Sequence, residues 1–454
     1  MFALPGLLAL IFVDYVRPQE YFPFLYAVPL LHIATGLAVL GFVLDLRLGL
    51  SRRDPAPHLV LAVLLFLWCL VTVMVRAPDQ LGMRAQSLLV PIAIYAAVAH
   101  GIQSFRSLQV LCALLLVICL GLAAIGVHQG LASYGCHRIA ARAGQIVYLY
   151  DGRPCDEGNR AVCDDDTAEP GADYVCEKVG LLGTQSDHGR VRYRGTLQDP
   201  NELSLALGIA VPFAFAFLDR RRSPARAVVV ALTVAAVGLC AYFTQSRGGQ
   251  LVFVTVLGIY FVRRLGVKRG LAIGALLALP LLFFGGREGG EVSTLERLEC
   301  WWVGLHLILR SPGFGVGFAQ FNEHHYLTAH NSFILSAAEL GLPGMLLWTS
   351  IVYLAMKIPI QALRAHLPPV SRSWAIALLA STAGLAVGSF FLSYSYKDVL
   401  WIYVGLTGVL YHAIRRHEPG FKVGFGVRDL GVVAAVDGAL LFALIGYTGA
   451  KLGW

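Results

Sequence analysis

Long apolar runs separated by short polar connections recur along this chain from residue 2 to residue 448. Each run approaches the roughly 20 residues a helix needs to cross about 30 Å of hydrocarbon. The pattern predicts spans at approximately 2–16, 24–46, 57–75, 84–100, 107–127, 202–218, 226–244, 249–263, 269–284, 331–355, 374–392, 398–415 and 430–448. The fold class this implies is all-α: a polytopic integral membrane protein with about 12–13 transmembrane helices and two long loops on one side. The chain then divides into N-terminal helices (1–128), a cysteine-containing loop (129–201), central helices (202–284), a second long loop (285–330) and C-terminal helices (331–454).

Composition agrees, because 57% hydrophobic and 14% charged residues over 454 positions lie far outside the soluble globular class. The net charge of +8 would suggest a nucleic-acid partner in a soluble chain. Here it reports topology, since lysine and arginine near span ends are retained in the cytoplasm. One set of connections holds Arg47, Arg52, Arg53 and Arg106, then Arg220, Arg221, Arg222 and Arg226, then Arg263, Arg264, Lys268 and Arg269, then Lys357, Arg364 and Arg372, then Arg415, Arg416, Lys422 and Arg428. The short connections of the other set hold only Arg17, Arg76, Arg84, Arg247 and Lys397. That asymmetry puts the amino terminus in the cytoplasm and both long loops outside. The first run lacks a basic leader and a small-residue cleavage site, and reads as a retained span.

The first outer loop contains Cys136, Cys155, Cys163 and Cys176, an even set in a compartment that permits disulfides. Three pairings are open. The loop is either a stapled cap that shapes a glycan or acceptor surface, or a pinned loop that survives outside. Cys163-Asp164-Asp165-Asp166 lacks the glycine and closing glutamate of a calcium loop and reads as a solvated acidic turn. Cys69, Cys112, Cys119 and Cys240 sit inside apolar runs as small packing residues, and Cys300 has no obvious partner.

Polar residues gather at the outer mouths of three spans. Asp199-Pro200-Asn201-Glu202 opens one, where Asp199 or Asn201 can cap the helix or line a headgroup site. Ser246-Arg247-Gly248-Gly249 opens another, with an arginine on the side where the charge rule disfavours an idle one, so it either meets an anion or snorkels to lipid. The third runs from Thr294 to Gly344. Arg297 and Trp301 share a helical face there, which suits a guanidinium on phosphate beside an aromatic on a sugar. The Gly313-Phe-Gly315-Val-Gly317 run reads as a flexible re-entrant turn and not a nucleotide loop, since no buried strand precedes it. His330 is suited to general-base work near neutral pH, Asn331 to capping the next helix, and Glu339 and Gly341 follow two to three turns in. Glu323, His324, His325 and His330 do not form a paired metal-ligand motif, and no metal is expected.

On Asp199-Pro200-Asn201, Ser246-Arg247-Gly248, Arg297 with Trp301, Pro312 to Phe318, and His330-Asn331 with Glu339-Leu-Gly341, the chain resembles the O-antigen ligase family of bacterial inner-membrane glycan transferases, which includes O-antigen polymerases and protein O-glycosylation ligases. The opening Tyr15-Val-Arg17-Pro18-Gln19-Glu20-Tyr-Phe-Pro also resembles the exosortase-associated O-glycosylation ligase branch, while the four-cysteine loop matches no family pattern. The resemblance implies a glycan donor on undecaprenyl diphosphate, transfer to a hydroxyl of lipid A core or protein on the periplasmic face, and no nucleotide, cofactor or nucleic acid. It implies His330 as base, Arg247 and Arg297 on the diphosphate, and Trp301, Asn331, Asp199, Asn201 and Glu339 as orienting groups. The competing class is a transporter in which the two arginines line an anion path; it predicts internal repeats and interrupted helices with mid-membrane charges, and no clear repeat is visible.

Overall fold

The computed structural model describes residues 2–142, 145–156, 160–165, 168–220, 223–284 and 290–452. Arg221, Arg222 and Asp166 therefore lie outside the described residues, as does the start of the second long loop. The helices are α1 (Ala3–Val16), α2 (Leu30–Arg47), α3 (Leu59–Arg76), α4 (Leu81–Gly101), α5 (Phe105–Leu131), α6 (Pro200–Arg220), α7 (Pro224–Phe243), α8 (Arg247–Leu265), α9 (Val267–Phe284), α10 (Gly290–Arg310), α11 (Ser332–Arg364), α12 (Pro369–Phe391), α13 (Asp398–His417) and α14 (Val427–Leu452). Among the described residues ten helical segments are long and apolar enough to cross a membrane, so the chain is an all-α polytopic membrane protein. Thirteen of these helices coincide with the thirteen expected spans. The additional one, α10, lies in the second long loop, so that loop is largely a helix followed by the turn at 311–331.

Two compact units divide the chain. The first comprises residues 1–8, 35–111 and 287–454. In it α11 packs against α3, α10, α12, α13 and α14, and α4 packs against α13. The α4–α13 contact is close because Gly405 and Gly408 face Val98 and Ala99; a Cβ on Gly405 would stand 2.8 Å from the Val98 side chain. Small residues allow such approach where no hydrophobic force drives helices together. Trp348, Trp374 and Trp401 are fully buried. The buried Asp45 carboxylate accepts from the amides of Phe2 and Ala3 at 2.8 and 2.9 Å, serving donors at the start of α1 that a helix leaves without partners.

The second unit comprises residues 9–34 and 112–286. It contains α6 packed on α7 and α8, the α8–α9 pair, and a three-stranded antiparallel sheet of order β2-β1-β3, with β1 Tyr134–Arg142, β2 Gln145–Pro154 and β3 Tyr174–Lys178. Disulfides Cys136–Cys163 and Cys155–Cys176 choose one of the three open pairings. Cys69, Cys112, Cys119, Cys240 and Cys300 are free and buried.

Candidate functional site

In the second unit the polar cluster is built on two helix starts. Asp199 precedes α6, and its carboxylate accepts from both the backbone amide and the side-chain amide of Asn201 at 2.8 Å. Asn201 Oδ1 then accepts from Ser246 Oγ at 2.6 Å, while Ser246 Oγ accepts from the Gly249 amide at 3.0 Å and so caps α8. The capping reading of Asp199 is thus realised, and it coexists with a polar mouth. Arg190 completes the cluster, donating to Thr244 O at 3.0 Å and to Asn201 Oδ1 at 3.3 Å. Arg247, the first residue of α8, follows a left-handed Gln245 (φ 50) and is exposed. Glycine is needed two residues on: a Cβ on Gly249 would fall 2.0 Å from Ser204 Oγ.

Arg190 was not among the residues expected from sequence. A signal existed in the alternation Arg190-Val-Arg192-Tyr-Arg194, which places three cations on one side of an extended segment. Arg192 stacks over Tyr148 at 5.2 Å. Arg194 donates to Glu20 O and lies 4.6 Å over the Tyr21 ring, while the Tyr21 and Tyr193 hydroxyls are hydrogen-bonded and Tyr193 donates to Val16 O at 2.9 Å. The opening Arg17–Tyr21 motif is therefore held by the end of the cap. Burial raises the Glu20 carboxyl above its ordinary value, against the lowering effect of Arg17 and Arg194.

In the first unit α10 supplies Arg297 and Trp301, one turn apart, with Leu298, Trp301, Leu305 and Ile308 on its buried stripe. Arg297 is half-buried. The Trp301 indole lies within the protein, edge-on to Phe390 at 5.6 Å and tilted against Tyr447 at 6.3 Å, and its Nε1 has no hydrogen-bond partner among the described residues. Cys300, on the same helix, sits 3.6 Å from His325 Nδ1, and burial with the nearby Glu299 pushes its thiol up to about 11, so it stays protonated.

His330 sits in the left-handed region with φ 48, immediately before Asn331, which caps α11 by accepting from the amides of Phe333 and Ile334 at 2.9 and 3.1 Å. The Asn331 Nδ2 group is buried without a hydrogen-bond partner among the described residues. The strand of chain carrying His330 is stitched on both sides. Thr328 donates to Ser393 Oγ at 2.8 Å, Ser332 donates to Leu392 O at 2.7 Å, and Ser332 Oγ accepts from the Tyr394 amide at 2.7 Å.

The glycine run is a fixed latch, which corrects the expectation of a flexible turn. Helix α11 breaks at Gly341 (φ 70, ψ −179), and the break exposes carbonyls that the helix would otherwise use. Val316 N and Gly317 N donate to Ala338 O and Glu339 O at 2.9 Å, Leu342 N donates to Pro312 O at 2.8 Å, and Trp68 Nε1 donates to Leu340 O at 2.8 Å. A Cβ on Gly341 would stand 2.3 Å from Gly313 O, and one on Gly315 2.4 Å from the Glu339 carbonyl carbon. The Glu339 side chain turns to the same loop, its Oε1 accepting from Phe321 N at 3.1 Å. Tyr396, half-buried near Glu339 and edge-on to Phe318 at 4.6 Å, has its phenol pushed well above the ordinary value by desolvation and by that carboxylate.

The structure thus joins Asp199, Asn201 and Ser246 through one hydrogen-bond chain in the second unit, with the exposed Arg247 next in sequence. In the first unit Trp301 shares α10 with Arg297, Asn331 caps α11 directly after His330, and Glu339 holds the turn at 311–331. Together these features define a polytopic membrane protein with polar residues at its helix starts and a disulfide-stapled sheet. Residues 231–349 match the family described as O-Antigen ligase, and residues 4–136 match a family of unknown function (DUF5935). The first of these matches spans Arg247, Arg297, Trp301, His330, Asn331 and Glu339, and it supports the resemblance to the O-antigen ligase family. No curated protein matches the chain.

Proposed function

We propose that the protein transfers a glycan from undecaprenyl diphosphate to an acceptor hydroxyl, on lipid A core or on protein, at the periplasmic face of the bacterial inner membrane. The observation that carries this reading is His330, an imidazole on a left-handed residue fixed between a helix cap and stitched flanks, inside the region matched to the ligase family. A base so held can take the proton of the attacking hydroxyl while the glycosyl bond to the diphosphate breaks, and a single displacement of that kind inverts the anomeric centre. Arg247 and Arg297 neutralise the departing diphosphate through paired hydrogen bonds, the task a metal performs in many nucleotide-dependent transferases. Trp301, Asn331 and Glu339 act from beneath by fixing α10, α11 and the loop at 311–331; Asp199 and Asn201 hold Ser246 and the start of α8.

The test is reconstitution of the purified protein with an undecaprenyl diphosphate glycan, without metal or nucleotide, offering lipid A core, protein and the glycan-lipid alone as separate acceptors. Transfer to either of the first two identifies a ligase and its acceptor. Elongation with glycan-lipid alone identifies a polymerase of the same family. Donor movement across liposomes without transfer replaces the reading with a transporter.

A further inference from the structure

The connection between α2 and α3 borders a cavity of about 420 Å³ that none of the proposed transfer residues lines. Its walls differ in chemistry. Phe42, Leu46 and Leu59 give an apolar side, and Arg47, Arg52 and Arg53 a cationic one. Val43 also lines it and is 42% exposed, so the apolar wall continues onto the outward surface of α2, where Leu40 and Leu44 are exposed as well.

The arginine-bearing loop is built and not merely charged. The fully buried Gln103 side chain accepts from Arg52 N at 2.9 Å and donates to Arg52 O at 2.7 Å. Leu50 N and Ser51 N both donate to Asp45 O, and Ala56 N donates to His100 Nε2 at 3.1 Å. Cations that served topology alone would need no such fixation, because the charge rule asks only for their side of the membrane. The balance of charge points to an anion. Among the described residues lining the cavity Asp54 is the one acid, and it stands 3.5 Å from Arg415. Arg416 lies near enough to Arg52 for the two cations to repel.

We propose that this cavity binds an anionic glycerophospholipid, its phosphate on Arg47, Arg52 and Arg53 and the upper part of one acyl chain along Phe42, Leu46 and Leu59. Guanidinium groups match phosphate oxygens in pairs, and basic pockets between membrane helices on the cytoplasmic side are suited to anionic headgroups. A free phosphate ion would use the arginines but leave the apolar wall without a partner. The proposal is independent of the glycan chemistry.

The test is native mass spectrometry and thermal unfolding of the full chain, delipidated and titrated with phosphatidylglycerol, phosphatidylcholine or inorganic phosphate. Phosphatidylglycerol alone should remain bound and raise the melting temperature. The Arg47→Gln/Arg52→Gln/Arg53→Gln variant should weaken that binding by about tenfold or more, the scale of lost charge-assisted hydrogen bonds. Ala96→Phe, which narrows the cavity and keeps every charge, should weaken it too. Equal retention of phosphatidylcholine, or undiminished binding in both variants, overturns the proposal, and protection by inorganic phosphate equal to that by phosphatidylglycerol reassigns the site to a free anion.

Discussion

His330 combines an unusual backbone with a reactive side chain, and the two can be separated by substitution. Asparagine tolerates the left-handed region better than most residues, so His330→Asn should keep the fold while removing the base. The expected result is an unchanged melting temperature and transfer reduced by about 10²-fold or more; full transfer by this variant would remove the general-base role. Arg247→Lys tests a different property, since it keeps the charge and loses the planar fork. A severe loss of transfer is expected, and near-normal turnover would place the diphosphate elsewhere. His137 of β1 belongs to the cap. Burial holds its imidazole below the ordinary value of 6.5, with the neutral ring at 2.9 Å from Gly135 O. The folded segment therefore binds fewer protons at His137 than the unfolded one, and the contribution of this neutral ring to its stability declines as pH falls below 6.5. Hydrogen exchange over residues 134–178 should quicken on acidification, and His137→Gln should flatten that response. Residue types at the mouths were legible from sequence, because charge on the wrong side of a membrane is costly and stands out. The partners were not: nothing in the order of residues tells that Arg190 reaches Asn201 or that Glu339 serves Phe321.

The element that governs the candidate site is the interrupted α11 with its latch. Gly341→Ala would force an alanine into a region that only glycine adopts easily, at a strain cost on the order of 1–3 kcal/mol before the contact with Gly313 O is counted. A clear fall in melting temperature and in transfer together is expected, whereas a silent substitution would mean that the break is dispensable. Thirteen helices were readable because uninterrupted hydropathy is a strong signal. Helix α10 was hidden by Glu296, Arg297 and Glu299, although Leu298, Trp301, Leu305 and Ile308 keep a helical period. The sheet was hidden among the cysteines of a long loop, yet Ile146 to Tyr150 is rich in the β-branched and aromatic residues that strands favour. The disulfide loops span sequence separations of 27 and 21 residues, and the chain-entropy argument assigns each about 3 kcal/mol of stabilisation.

For the molecule as a whole, sidedness is the quantity on which the transfer reading depends. Single cysteines placed at Gly171 of the cap and at Arg53 of the α2–α3 loop, in a background that keeps the two disulfides, give opposite expectations. The first should react with an impermeant maleimide from outside intact spheroplasts, and the second only after the membrane is opened. The reverse pattern would put the candidate site on the cytoplasmic face, where a polyprenyl-linked periplasmic donor could not reach it. Charge asymmetry is what predicts this sidedness from the sequence, since it is summed over many loops and survives errors at any one of them. The two regions matched by family comparison, 4–136 and 231–349, leave residues 137–230 between them. That interval is anchored to the start of the chain through Tyr193 and Arg194, and a Cβ on Gly195 would collide with Arg17 at 2.8 Å. A cap transplanted from a relative therefore needs to bring its own residues 17–21 with it, because the boundary of the exchangeable module runs through two distant stretches of sequence at once.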